Sequence, residues 1–384
     1  MGSDALFADA VAAAELPGAI GLILDRAGTR YARAFGQADT GTGAAMQVDT
    51  PVQIASMTKA IVTVAAMQLV EQGRLSLDEP VGKFLPELAA PQVLTGFGPD
   101  GAPQLRPAAR PITLRHLLTH TSGFSYQFIR EETLRWFQHA GMPPIGTKAG
   151  IRMPLLFDPG EAWEYGVGID WAGLAIEAAT GITLGAYLAE HVTGPLRMDD
   201  TAFLRAPPEG AASVHVRTGV GGDNGAGFAV HPIWLNAGDF DMGGGGLTST
   251  APDYARFLRM VLGEGELDGV RVLAAETLAE MRRNQVGSLR AGYMGSAMPE
   301  LAPPFDWYPD QHTGWGLSWL INPERTAEGR SPGSLAWAGI FNSYYWVDPA
   351  KGIAGVFVSQ VSPFGDPGAL SAFRALERMA YALP

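Results

Sequence analysis

Ser56 and Lys59 stand three residues apart in Ser56-Met57-Thr58-Lys59, where a strongly apolar segment begins. A serine hydroxyl is a poor nucleophile near neutral pH and needs a base beside it. Positions i and i+3 share one face of a helix, so the amine of Lys59 can reach the Ser56 oxygen. Ser-x-x-Lys therefore activates a serine without a histidine. The plain alternative is a capping serine followed by a lysine that extends to solvent. The rest of the chain decides between the two.

Two further stretches carry compatible chemistry. Tyr165, in Trp163-Glu164-Tyr165-Gly166-Val167, lies just before a helical stretch from Trp171 and could shuttle protons beside Lys59. Trp337-Ala338-Gly339 falls on a late strand. A small residue followed by glycine lets a substrate lie against the strand edge. The N–H of Ile340 could then join that of Ser56 in an oxyanion hole. Gly329-Arg330-Ser331-Pro332-Gly333 spells the G-x-S-x-G of a nucleophile elbow. That reading fails because the elbow uses the N–H after the serine, and Pro332 has none. The segment also leads into a strand, so a turn is the better assignment.

Composition narrows the function classes. At 384 residues the chain can form two domains, or one with a large insertion. Hydrophobic residues make up 47% and charged residues 17%, which excludes a disordered chain. A net charge of −12 argues against nucleic acid and anionic membranes as partners. There is no cysteine, which removes disulfides and thiolate chemistry, and the seven histidines show no metal-ligand spacing. Neither a metal nor a cofactor is expected. No basic n-region precedes Arg26 and no uncharged apolar run reaches spanning length, so a cytoplasmic location is the expectation.

The elements that must position these residues are legible in part. Residues 4–15 read as a helix, Ala19 to Leu24 and Tyr31 to Phe35 as a hairpin. The apolar spacing of Ile61, Val62, Ala65, Ala66, Leu69 and Val70 gives a buried helix behind Ser56. Residues 76–234 read as mostly helical, with stretches at Leu114 to Leu118, Glu131 to His139 and Trp171 to Ala179. They also contain a glycine-rich loop, Gly219 to Gly227, without a phosphate-loop pattern. Ala251 to Leu262 and residues 369–382 read as helices. Trp315 to Ile321, Leu335 to Gly339, Ser343 to Val347 and Ile353 to Gln360 read as strands. The expected fold class is α+β, with an antiparallel sheet of five strands or slightly more. Residues 1–75 and 235–384 would form the sheet domain, and 76–234 the helical one.

In this order the motifs resemble the serine β-lactamase and penicillin-binding-protein superfamily, and within it the class C-like carboxylesterases of family VIII. The resemblance rests on Pro51 to Lys59, on Ile112 to Gly123 (which contains His116 and His120), on Phe157 to Tyr165 with Gly181, and on Gly244 to Thr250. It implies a β-lactamase/transpeptidase-like fold with the active site in the cleft between its domains. It implies Ser56 as acylated nucleophile, Lys59 as its activator, Tyr165 as proton carrier, and Ser56 and Ile340 N–H groups as oxyanion hole. His116 and His120 would be structural. Two departures bear on the substrate. Val167 stands where β-lactamases of this type have asparagine, and Trp337-Ala338-Gly339 where they have Lys-Thr-Gly. Losing a donor and a cation removes recognition of a polar, anionic substrate but not of an apolar ester. Ester hydrolysis of a small molecule is the expectation, with β-lactamase, D,D-peptidase, amidase or acyl-transfer chemistry as alternatives and a non-catalytic binding protein on this fold as a remoter one. Tyr126, Val167, Trp337, Gly339 and Phe341 are the expected substrate contacts. Phe128, Trp136, Phe137, Trp307 and Trp315 fall in segments expected to line the cleft.

Overall fold

A computed structural model describes residues 3–218 and 227–383. Except for Gly227, which opens the strand Gly227–His231, the glycine-rich loop lies outside the described residues.

Both ends of the chain build one eight-stranded sheet. The strands Gly18–Asp25 and Thr29–Asp39 form a hairpin, and Gly18–Asp25 also pairs antiparallel with Ile353–Val358. From Ile353–Val358 the sheet continues through Ser343–Asp348 and Leu335–Gly339 to Leu320–Ile321 and Gly314–Trp315. It is larger than the five-strand minimum because Ala44–Ala45 extends one edge, and because the apolar run 314–321 is two short strands. That run was expected to be a single strand. Ser318 turns it back at φ 73°, and a Cβ on Gly316 would lie 2.3 Å from the Met281 carbonyl oxygen.

Helices cover both faces. On the strand Ser343–Asp348, neighbouring side chains point to opposite sides. Tyr344 stacks on Phe373 of the C-terminal helix Pro367–Ala382, whereas Tyr345 packs against Tyr254 of Ala251–Leu262. The two helices therefore lie on opposite faces. The N-terminal helix Ser3–Ala13 joins the C-terminal one, with Phe7 packed where a Cβ on Gly21 would be.

The intervening chain, expected to be mostly helical, carries more helix than strand but is irregular over most of its length and also contains strands. The hairpin Gln92–Phe97 with Pro103–Pro107 was not expected. The helix Thr58–Glu71 crosses the interior between the sheet side and this part. Its residues from Thr58 to Leu69 are all buried. Each fully buried aliphatic there, such as Ile61 or Leu69, contributes roughly 1.5–3 kcal/mol. The first turn of this helix is consequently anchored, and Ser56 sits just ahead of it in the 3₁₀ turn Ala55–Met57. Among the described residues no single helix is long and apolar enough to cross a membrane, and no cluster of three metal-ligating side chains forms.

Candidate active site

The nucleophile turn is set by close backbone contacts. Ala55 has φ 46°, a left-handed conformation that costs a non-glycine residue roughly 1–2 kcal/mol. Strand Leu335–Gly339 runs against this turn. A Cβ on Gly339 would meet the Ile54 carbonyl oxygen at 2.5 Å, so glycine is required for the approach. The approach puts Ile340 beside Ser56 on the wall of a common chamber. First-turn N–H groups have no intrahelical partner, which leaves the Ser56 N–H available to a ligand.

Lys59 is 1% exposed and is held from three directions. Its Nζ lies 3.1 Å from Ser56 Oγ, 3.0 Å from the Tyr126 hydroxyl and 2.5 Å from the Gly244 carbonyl oxygen. An ammonium has three N–H donors, and all three are used. With one proton fewer, donation to Tyr126 and Gly244 leaves a lone pair aimed at Ser56. That is the geometry of a base poised on its nucleophile.

Tyr165 lies on the same cluster by its ring, 4.8 Å from Lys59 Nζ. Its hydroxyl accepts a hydrogen bond from the Trp337 indole Nε1–H at 3.1 Å. From sequence, Trp337 is an expected substrate contact that offers no charge. It does line the chamber, but its N–H serves the phenol oxygen of Tyr165. Tyr126 had been expected to touch substrate, and its hydroxyl in fact also reaches the lysine. Behind Tyr165 stands His120, whose Nδ1 accepts the Gly166 N–H at 3.4 Å. Burial, and then the charge of Lys59, push the His120 imidazolium well below the usual histidine range, so the ring is neutral. His116 closes a capping box with Thr113. His116 thus caps a helix, while His120 is held through Nδ1 and its buried Nε2 has no hydrogen-bond partner among the described residues.

These groups open onto a chamber of about 370 Å³. Ser56, Tyr126, Val167, Trp337, Gly339 and Phe341 all line it, as does Ile340. Phe128 and Phe137 do too, but Trp136, Trp307 and Trp315 do not. Trp136 instead donates to the Arg152 carbonyl oxygen. Trp315 stacks edge-on behind Trp337 at 4.6 Å and donates to Leu118, and Trp307 packs against Trp337 at 5.8 Å. The expected aromatic residues were thus partly wall and partly the layer that fixes the wall. The sequence reading missed the flexible lining residues Met242, Met294 and Met298. It also missed Asp170, the single ionisable acid or base in the lining among the described residues, apart from the tyrosines. Ser331 of the G-x-S-x-G sequence sits in a turn, with its N–H donating to Asp348 and its carbonyl accepting from Ser334.

The antiparallel sheet, the buried helix and the Ser-Lys pair at its head define the β-lactamase/transpeptidase-like fold with a serine-type cleft. The chain belongs to the beta-lactamase family, whose model matches residues 3–378. It is 33% identical to monacolin J acid methylbutanoyltransferase of Aspergillus terreus, over 98% of this chain and 94% of that protein. It is 32% identical to lovastatin esterase of Penicillium rubens, over 92% and 91% of the two chains. The LovD6 mutant of simvastatin synthase from Aspergillus terreus superposes with a TM-score of 0.83 at 31% identity, covering 99% of this chain and 94% of that one. The named relatives thus include an acyltransferase and an esterase.

Proposed function

We propose that this protein is a serine esterase that cleaves neutral, apolar carboxylic esters through an acyl-enzyme on Ser56. The observation that carries the reading is the Lys59 Nζ contact with Ser56 Oγ beside an apolar chamber that has no lysine or arginine in its lining among the described residues. In this reading Ser56 Oγ attacks the ester carbonyl carbon as its proton passes to Lys59. The carbonyl oxygen takes up the electron pair and is held by the Ser56 and Ile340 N–H groups. The alkoxide leaves with a proton delivered by way of Tyr165, which Trp337 orients. Water then enters by the reverse proton path and releases the acid.

Two features favour esters over β-lactam antibiotics. Val167 is 2% exposed and offers no side-chain donor or acceptor. Trp337 spends its donor on Tyr165 and carries no charge for a substrate carboxylate. Acyl transfer is the second reading. It is favoured by near-equal similarity to a methylbutanoyltransferase and to an esterase, and by a chamber roomy enough for a carbon-rich alcohol. The two readings share the acylation half and differ in whether water or an alcohol accepts the acyl group.

The test is product partition. Purified protein is given p-nitrophenyl butyrate, a chromogenic cephalosporin, and the ester again with a long-chain alcohol present. Ser56-dependent release of butyric acid much faster than cephalosporin turnover supports the esterase. Butyryl ester of the added alcohol as main product moves the assignment to acyltransferase. Faster cephalosporin turnover overturns both.

A further inference from the structure

Asp170 has no place in the acylation scheme above, yet it is 2% exposed and lines the chamber. It lies in the first turn of the helix Gly168–Thr180, on the far side of Gly244 from Lys59. The Gly244 N–H donates to Asp170 Oδ1 at 2.8 Å, while the Gly244 carbonyl oxygen accepts from Lys59 Nζ at 2.5 Å. One residue thus links the carboxylate to the lysine through its own backbone. A Cβ on Gly244 would lie 2.3 Å from Asp170 Oδ2, so the contact exists only with glycine. This accounts for one glycine of the run Gly243 to Gly246.

We propose that Asp170 is a positioning and counter-charge residue for Ser56 acylation: it fixes Gly244, which aims Lys59, and its negative charge favours passage of the Ser56 proton to Lys59. The inference rests on the acyl-enzyme reading above, but not on whether water or alcohol completes the cycle.

The groups that face Asp170 are known from each packed element. Lys59 comes from the nucleophile helix and Tyr126 from the loop after Leu114–Leu118, while Tyr165 stands beside both of them. Lys59 is the basic group among them, and Tyr126 feels Asp170 as a neighbouring negative charge. Neutral His120 lies behind Tyr165. Burial pushes the Asp170 carboxyl up to about 6, against the pull of Lys59 and the Gly244 N–H. Burial thus brings its change of charge toward neutral pH.

The decisive experiment is the pre-steady-state burst of p-nitrophenol from p-nitrophenyl butyrate, read at the isosbestic wavelength from pH 4.5 to 8.5. Wild type is compared with Asp170→Asn, whose amide oxygen can still accept the Gly244 N–H. At pH 8 the variant should acylate at least about tenfold more slowly, with kcat/KM following the burst and thermal melting cooperative. At pH 5 the two rates should converge, because wild-type Asp170 is then neutral too. A purely structural role would lower the rate by the same factor at every pH. Burst rates that superimpose at pH 8, or a constant ratio across the range, would overturn the proposal. If Asp170→Asn does not fold, the same comparison is made with Asp170→Ser, whose uncharged hydroxyl can still accept the Gly244 N–H, and a pH-independent ratio again overturns the inference. A burst that survives Ser56→Ala would instead sink the acyl-enzyme reading.

Discussion

Replacing Trp337 by a benzothienyl analogue, in which sulfur stands for the indole N–H, removes one hydrogen bond and almost nothing else. Trp337 is 2% exposed and wedged between Tyr165 at 4.9 Å and Trp315 at 4.6 Å, so the ring must stay. Only the 3.1 Å donation to the Tyr165 hydroxyl is lost. A hydrogen bond between neutral partners is worth about 0.5–1.5 kcal/mol, and one to a charged group about 1.5–3 kcal/mol. If Tyr165 carries a proton to and from the reacting atoms, negative charge develops on its oxygen and the larger range applies. Converted at 1.4 kcal/mol per tenfold, the expected loss in kcat/KM is roughly 10-fold to 150-fold. A spectator tyrosine would lose nothing in the transition state that it does not lose at rest. The assay is kcat/KM for p-nitrophenyl butyrate beside a melting curve. The ordinary variant Trp337→Phe should show at least the same loss plus a lower melting temperature from the emptied volume. A sulfur analogue with kcat/KM within about twofold of wild type would refute the reasoning about Tyr165.

Other outcomes follow from the same geometry. Tyr126→Phe removes one of three contacts to Lys59 and should cost about 0.5–1.5 kcal/mol in kcat/KM, up to about tenfold, with KM nearly unchanged. A loss equal to that of Lys59→Ala would make Tyr126 the principal proton carrier instead of Tyr165. Gly339→Ala places a Cβ 2.5 Å from the Ile54 carbonyl oxygen and should shift the strand off the nucleophile turn. Activity should fall by an order of magnitude or more, at a cost of about 1–3 kcal/mol in urea melts. The folded-state carboxyl of Asp170 sits near 6, above its ordinary 3.8, so the native state holds that proton longer than the unfolded chain. Native stability from this group is complete below about pH 4 and is lost as pH rises through about 6. The buried charge then costs at most about 3 kcal/mol. Asp170→Asn should therefore be more stable relative to wild type at pH 8 than at pH 4, which paired thermal melts would check.

The Ser56–Lys59 pair could be read from spacing because helical periodicity fixes which side chains meet. The helix behind it was legible because its apolar residues run on every face. The late strands were legible because Leu335–Gly339 and Ser343–Asp348 are apolar stretches parted by a short turn. The hairpin Gln92–Phe97 with Pro103–Pro107 escaped because its strands contain proline and glycine and little alternation. Its turn was nonetheless written in Pro99-Asp100-Gly101, where the Gly101 N–H closes on Gly98. The single strand expected from Trp315 to Ile321 failed for a tertiary reason, the close approach of Met281 to Gly316. Asp170 was hidden by a local explanation, since an acid in the first turn of a helix normally complements the dipole. Only burial and the Gly244 contact show that it faces Lys59. The donor role of Trp337 was invisible for the same reason: a tryptophan on an apolar strand reads as packing until the partner of its N–H is known.

The central claim is that the acyl group passes through Ser56, and trapping that intermediate tests it most directly. Protein turning over p-nitrophenyl butyrate is quenched in acid, and its peptides are sequenced by mass spectrometry. The account predicts one butyryl group per chain on the peptide carrying Ser56, and none in Ser56→Ala. A butyryl group at another residue, or turnover at the wild-type rate in Ser56→Ala, would contradict it.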